Sequence, residues 1–195
     1  MTDERFLATI AAFDAANASD PREIAIDGAL RPRELVDAER LSACVERLMP
    51  GAPVALRLAA RCQHLERWKI QRSDYPQGRA GYLQWRTALG RFHADQAERI
   101  LRQVGYDEET IAEVRRVNIK QGLRSDPLVQ TMEDALCLAF LEHELEAFAE
   151  KHGADKIVSI LQKTWKKMSP RARELALGLA FPPPVEALVE RALSG

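Results

Sequence analysis

A chain of 195 residues with 46% hydrophobic residues can bury one sizeable core, and 29% charged residues mark a globular rather than a disordered protein. A net charge of -1 argues against a general polyanion binder, and no apolar run reaches the roughly 18 residues of a membrane span. Three cysteines without CxxC spacing, Cys44, Cys62 and Cys137, predict reduced thiols and a cytoplasmic protein, and the acidic opening MTDERF is unlike a secretory leader.

Apolar residues recur at steps of three and four almost throughout, which predicts helices and no half-buried strands. The first helix is expected from residue 4 to about 18, with Phe6, Ile10 and Phe13 inward, and a loop through Gly28 and Pro32 follows it. Helices are then expected near 34–49 and 53–67, followed by a turn around Tyr75-Pro76 and Gly78. A long helix over 81–104 ends at Gly105, and Asp107 caps the next over 108–121. Ser125-Asp126-Pro127 starts a helix expected to reach residue 151. Shorter helices are expected at 154–168, 170–180 and 184–193. The organisation is a single-domain all-α bundle: an N-terminal helix and loop (1–32), a helical core (33–153) with a basic, aromatic insert (66–80), and C-terminal helices packing on the core (154–195).

The stretch from Arg61 to His93 carries seven Arg or Lys against two acids, and it holds Trp68, Tyr75, Tyr82 and Trp85. Its charge of +5 leaves -6 for the rest of the chain, so the positive charge is local. Arg61, Arg67, Arg72, Arg79 and Arg86 are candidates to hold an anion, because guanidinium suits bidentate phosphate contacts. Trp68, Tyr75 and Trp85 are candidates to stack on a flat ring. His93 shares a helix face with Leu89, Ala97 and Ile100, and Asp134 heads a stripe of Leu138, Leu141 and Leu145. A buried carboxylate there needs a cation, a donor network or a raised pKa. Glu39, His64, His93 and Asp134 are therefore candidate metal ligands, with His64, His93 and Asp134 as catalytic candidates. The bland alternatives are core histidines with satisfied partners, an Asp134–Arg pair, and a basic loop packed against the acidic run at 142–150. The KTWKKM run around Trp165 is expected to be a solvated basic face with an anchoring Trp.

This order of residues resembles the HD-domain superfamily of all-α, metal-dependent phosphohydrolases. LAARCQH (58–64) looks like that family's His-Asp helix, with Gln63 and His64 in place of the pair. The run from Phe92 to Gly122 is similar to its next segment, where His93 matches a family His and Lys120 stands where another would be. LVQTMEDALCL (128–138) puts Asp134 on the family's acid, and Glu39 aligns with its first His. The chain is also similar to an uncharacterised family of bacterial and fungal proteins that share RCQH, GYLxWR, FHA and KTWxKMS. The resemblance implies an HD-domain-like bundle acting as a diverged metal-dependent phosphohydrolase on a small, nucleotide-like phosphate. It implies a divalent metal and no organic cofactor, with Lys120 added to the phosphate contacts. The alternative is a non-catalytic binding module for a nucleotide or another anion, single-stranded nucleic acid included. No membrane partner is expected.

Overall fold

The computed structural model describes residues 4–123 and 125–194. It is an all-α single domain with ten α-helices and one small hairpin among the described residues. The helices are α1 (Glu4–Asn17), α2 (Arg33–Leu48), α3 (Val54–Cys62), α4 (Gly78–Val104), α5 (Glu108–Asn118), α6 (Pro127–His143), α7 (Leu145–Ala149), α8 (Ala154–Lys167), α9 (Pro170–Leu177) and α10 (Pro183–Leu193). Helix α2 packs on α3 and α6, α3 packs on α5, α1 lies across α3 and α4, and α8 pairs with α10. Phe13, Leu56, Leu58, Leu65, Leu101, Met132, Leu138 and Ile157 are fully buried where these helices meet. Each such side chain contributes about 1.5–3 kcal/mol by leaving water. No helix among the described residues is long and apolar enough to cross a membrane.

Local chemistry sets the helix starts. Asp107 accepts from the Thr110 N–H at 2.7 Å. Asp126 accepts from the Leu128 and Val129 N–H groups at 2.9 and 3.3 Å, with Pro127 in the first turn. Ser169 accepts from the Ala172 N–H at 3.3 Å, with Pro170 behind it. Each cap satisfies a donor the helix cannot. At the other end of α4, Gly105 takes φ 88° and returns the chain, a geometry that costs a side-chain-bearing residue more.

Three departures from the expected elements bear on the site. The expected loop at 19–32 contains an antiparallel hairpin, β1 (Glu23–Ile26) with β2 (Ala29–Pro32). Asp27 and Gly28 both take positive φ, 50° and 81°, which is the turn an Asp-Gly pair favours. Helix α3 stops at Cys62 instead of running to 67. Glu66 there adopts φ 53°, and its N–H donates to the buried Asn17 side chain at 3.0 Å, so the chain turns and His64 falls beyond the helix end. The helix expected to reach 151 breaks at Glu144 between α6 and α7, although no Gly or Pro marks the place.

Candidate functional site

The stretch between α3 and α4 winds through two short 3-10 turns, Arg67–Lys69 and Arg72–Asp74, and walls one side of a cleft of about 930 Å³. The other walls come from Arg22 ahead of β1, the first turns of α2, Lys120 after α5, and facing residues of α6 and α8. Arg22, Arg33, Arg67, Arg72, Arg86, Lys120 and Lys167 line it, against Glu34, Asp37, Glu133 and Glu144. The lining is therefore basic, as the local charge of the sequence predicts.

The cations differ in how far they are already occupied. Arg22 bonds Asp20 through two nitrogens at 2.9 Å and reaches Glu34 at 2.7 Å. Arg33 lies 3.5 Å from Asp37. Lys120 pairs closely with Glu133, and Lys167 approaches the same carboxylate at 3.3 Å. Burial works to raise the Glu133 pKa, but the two lysines outweigh it and hold the carboxyl below its usual value. Arg72 donates to the Tyr75 and Pro76 carbonyls, both at 2.9 Å, so it staples its own turn. Arg67 and Arg86 have no carboxylate partner among the described residues. The Arg67 guanidinium sits over the Trp85 ring, 5.4 Å from its centroid, within cation–π range. The Trp85 indole N–H is fixed by the Ile70 carbonyl at 3.1 Å.

Of the candidate metal ligands, the structure brings His64 and His93 together and separates the other two. The two rings meet edge to face, with centroids 6.0 Å apart. His93 is buried, and its Nδ1 lies 2.7 Å from the Leu65 carbonyl. A carbonyl only accepts, so Nδ1 carries the proton and Nε2 is left with a lone pair and no partner. Burial drives the His93 pKa down to about 4, helped by Arg67 and Arg86 and opposed by the Leu65 carbonyl. Burial also lowers His64 well below the usual imidazole range, and Arg67, His93, Lys120 and Arg86 add to this. Both rings are neutral at pH 7.

Glu39 and Asp134 are engaged elsewhere. Glu39 forms a bidentate pair with Arg31 at 2.8 and 2.9 Å, outside the cleft. Asp134 is buried as expected, but its Oδ1 accepts from Gln130 Nε2 and from the Ser169 N–H, both at 2.9 Å. Its stripe faces the start of α9, so it ties α6 to that helix. Among the described residues no group of three or more His, Cys, Asp or Glu side chains is arranged to hold a metal ion. The four-residue ligand set is therefore not assembled. Asp134→Ala is expected to cost about 2–4 kcal/mol in urea unfolding, from two lost charge-assisted hydrogen bonds, while ligand affinity in the cleft changes little. An equal loss of affinity in a folded variant would return Asp134 to the site.

Two expected anion contacts also lie elsewhere. Arg61 is held by Asp14 through two nitrogens at 2.5 and 2.7 Å. Arg79 and Tyr75 do not line the cleft, whereas Trp68 and Trp85 do.

The family described as Domain of unknown function (DUF4202) matches residues 7–189. The chain belongs to this family. No curated protein and no solved structure matches it. The DUF4202 match spans every cleft-lining residue, from Pro21 to Lys167.

Three cleft-lining positions of this DUF4202 chain escape a reading by periodicity. Glu34 is 2% exposed and lines the cleft. Burial raises its pKa to about 7, although Arg22 and Arg67 pull the other way. In sequence it looks like an ordinary acid in a first helical turn. Arg22 sits beside Asp20-Pro21, which reads only as a helix stop. Lys167 belongs to the KTWKKM run, which is the solvated face expected of it: Lys163, Lys166 and Lys167 are exposed and Trp165 is half-buried beneath Arg173, and Lys167 in addition lines the cleft.

Proposed function

We propose that the cleft binds a small phosphorylated molecule with a flat ring, of nucleotide-like size. One observation carries this reading: Arg67 is held over Trp85 inside the cleft with no carboxylate partner among the described residues, and Arg86 nearby has none either. Burial depresses even the Arg67 guanidinium pKa. Glu34 and Glu144 offset part of the cost of burying this cation from a distance, and a bound anion in direct contact removes more of it. Trp68 and Trp85 supply flat apolar surface next to it.

Calorimetry with AMP, ribose 5-phosphate and inorganic phosphate tests the proposal. The nucleotide is expected to bind most tightly. Arg67→Ala is expected to weaken binding roughly 10–100-fold, the equivalent of a charge-assisted contact of about 1.5–3 kcal/mol. No binding of any of the three at millimolar concentration overturns it. Affinity with a steep salt dependence and a preference for oligonucleotides would move the reading to single-stranded nucleic acid.

Hydrolysis of the bound ester is the second reading, and Glu34 favours it, because a carboxyl titrating near 7 can exchange a proton at neutral pH. The HD-like, metal-dependent form of that reading relies on Glu39 and Asp134, whose partners lie elsewhere. The test is phosphate release from AMP with and without chelator. Release that survives chelator and is lost in Glu34→Gln supports a proton-transfer site. The buried free thiols of Cys44, Cys62 and Cys137 suit a reducing, cytoplasmic setting.

A further inference from the structure

We propose that the ring end of the ligand is a base bearing an exocyclic amino group, as in adenine or cytosine, read by Glu34 and Gln63. This inference rests on the phosphate-binding reading above and names the substrate class within it.

Two cleft-lining side chains are more than nine-tenths buried and each leaves one polar atom unsatisfied. Glu34 is 2% exposed: Oε1 accepts from Arg22 at 2.7 Å, and Oε2 has no partner. Gln63 is 6% exposed: Nε2 donates to the Asn118 carbonyl at 3.2 Å, and Oε1 has no partner. The anchors settle the remaining chemistry. Arg22 and the Asn118 carbonyl hold one atom of each group, so what stays open is a carboxylate oxygen and an amide oxygen. Both accept hydrogen bonds.

Buried acceptors left unmade are expensive, and neither atom has a hydrogen-bond partner within the protein. A ligand that donates to both recovers that cost. An exocyclic amine carries two N–H bonds, so AMP and CMP meet the need. Uracil and hypoxanthine present a carbonyl at the same place, which sets oxygen against oxygen. A site built around such acceptors rejects the wrong group strongly. The charged end of the same ligand then lies with Arg67, Arg86 and the two lysines. The acceptors stand on α2 and at the end of α3, and the cations on the turn after α3, α4, the segment after α5, and α8, so one cleft presents both kinds of group to a ligand.

The experiment is calorimetry at pH 8 with AMP, CMP, IMP, UMP and ribose 5-phosphate. AMP and CMP are expected to bind at least tenfold more tightly than IMP and UMP. In Glu34→Gln the amide oxygen takes the Arg22 bond and an N–H replaces the open oxygen, so the preference should shrink or reverse. In Gln63→Leu it should shrink, with ribose 5-phosphate affinity unchanged in that variant. The second variant keeps the test alive if the first does not fold. Equal affinity for all four nucleotides overturns the inference but leaves the phosphate cleft standing. So does a preference that both folded variants retain. Failure of every ligand, ribose 5-phosphate included, overturns the cleft reading itself.

Discussion

His93→Asn is expected to remove a measurable share of the acid sensitivity of the protein. Asparagine can keep the N–H donated to the Leu65 carbonyl and has no titrating group. The folded protein holds His93 neutral down to about pH 4, while the unfolded chain takes up a proton near 6.5. Stability from this residue is therefore complete above 6.5 and is lost as pH falls toward 4. The shift corresponds to roughly 3 kcal/mol at about 1.4 kcal/mol per unit. His64 is displaced in the same direction and adds to the slope. Glu34 acts with the opposite sign. Its folded value of about 7 lies above the ordinary 4.5, so its contribution is largest at low pH and declines as pH rises from 4.5 to 7. The two buried groups partly cancel between 4.5 and 6.5. Urea unfolding at pH 4.5, 5.5, 6.5 and 7.5 separates them. The slope should flatten in His93→Asn and steepen in Glu34→Gln. A slope in His93→Asn equal to the parent's would show that the imidazole takes no part in acid unfolding.

The second large effect is expected at Gly81. This residue is buried on the first turns of α4, directly under the turn at 75–77. A Cβ there would run into the Pro76 carbonyl oxygen, which is backbone and has no side-chain freedom with which to give way. Gly81→Ala therefore displaces that turn. The turn is stapled by Arg72 through the Tyr75 and Pro76 carbonyls, and the neighbouring Ile70 carbonyl holds the Trp85 indole. Overpacking of this kind costs about 1–3 kcal/mol. The larger consequence falls on the cleft, because Trp85 is the surface on which Arg67 rests. Tryptophan fluorescence should shift and nucleotide affinity should drop by tenfold or more. Unchanged fluorescence and affinity in a folded Gly81→Ala would mean that the turn does not shape the cleft. Gly90→Ala is the control, since a Cβ there meets nothing within 4 Å.

Most of the helical order was legible in the sequence because its signals are local. Asp107, Asp126-Pro127 and Ser169-Pro170 each act within one turn, and they start helices where the sequence puts them. The Asp27-Gly28 hairpin was equally local and is a signal that hydrophobic spacing passes over, since the flanking strands are half-exposed. Burial was legible too, but its partner was not. Periodicity placed Asp134 inward, and it is inward; the neighbour that satisfies it is the Ser169 N–H, 35 residues away. Glu133, one residue earlier and about 100° around the helix, is the acid that reaches the cleft. The basic stretch from Arg61 to His93 contributes to the cleft, yet its arginines divide into Arg67 and Arg86, which are open, and Arg61 and Arg72, which are occupied. That division depends on Asp14 and on carbonyls of the turn, and no spacing rule reports it.

The contribution of α8 to the cleft has a consequence for how the site comes into being. A chain made from its N-terminus can bring Arg67, Trp85 and Lys120 together early, since α2 to α6 contact one another. The wall formed by Ile160, Thr164 and Lys167 arrives only when α8 has been added, and Asp134 finds the Ser169 N–H only one residue after Met168. A chain interrupted near residue 153 would leave a buried carboxylate without that donor and the cleft open on one side. If the cleft binds the proposed ligand, its full affinity is expected only once α8 and Ser169 are in place.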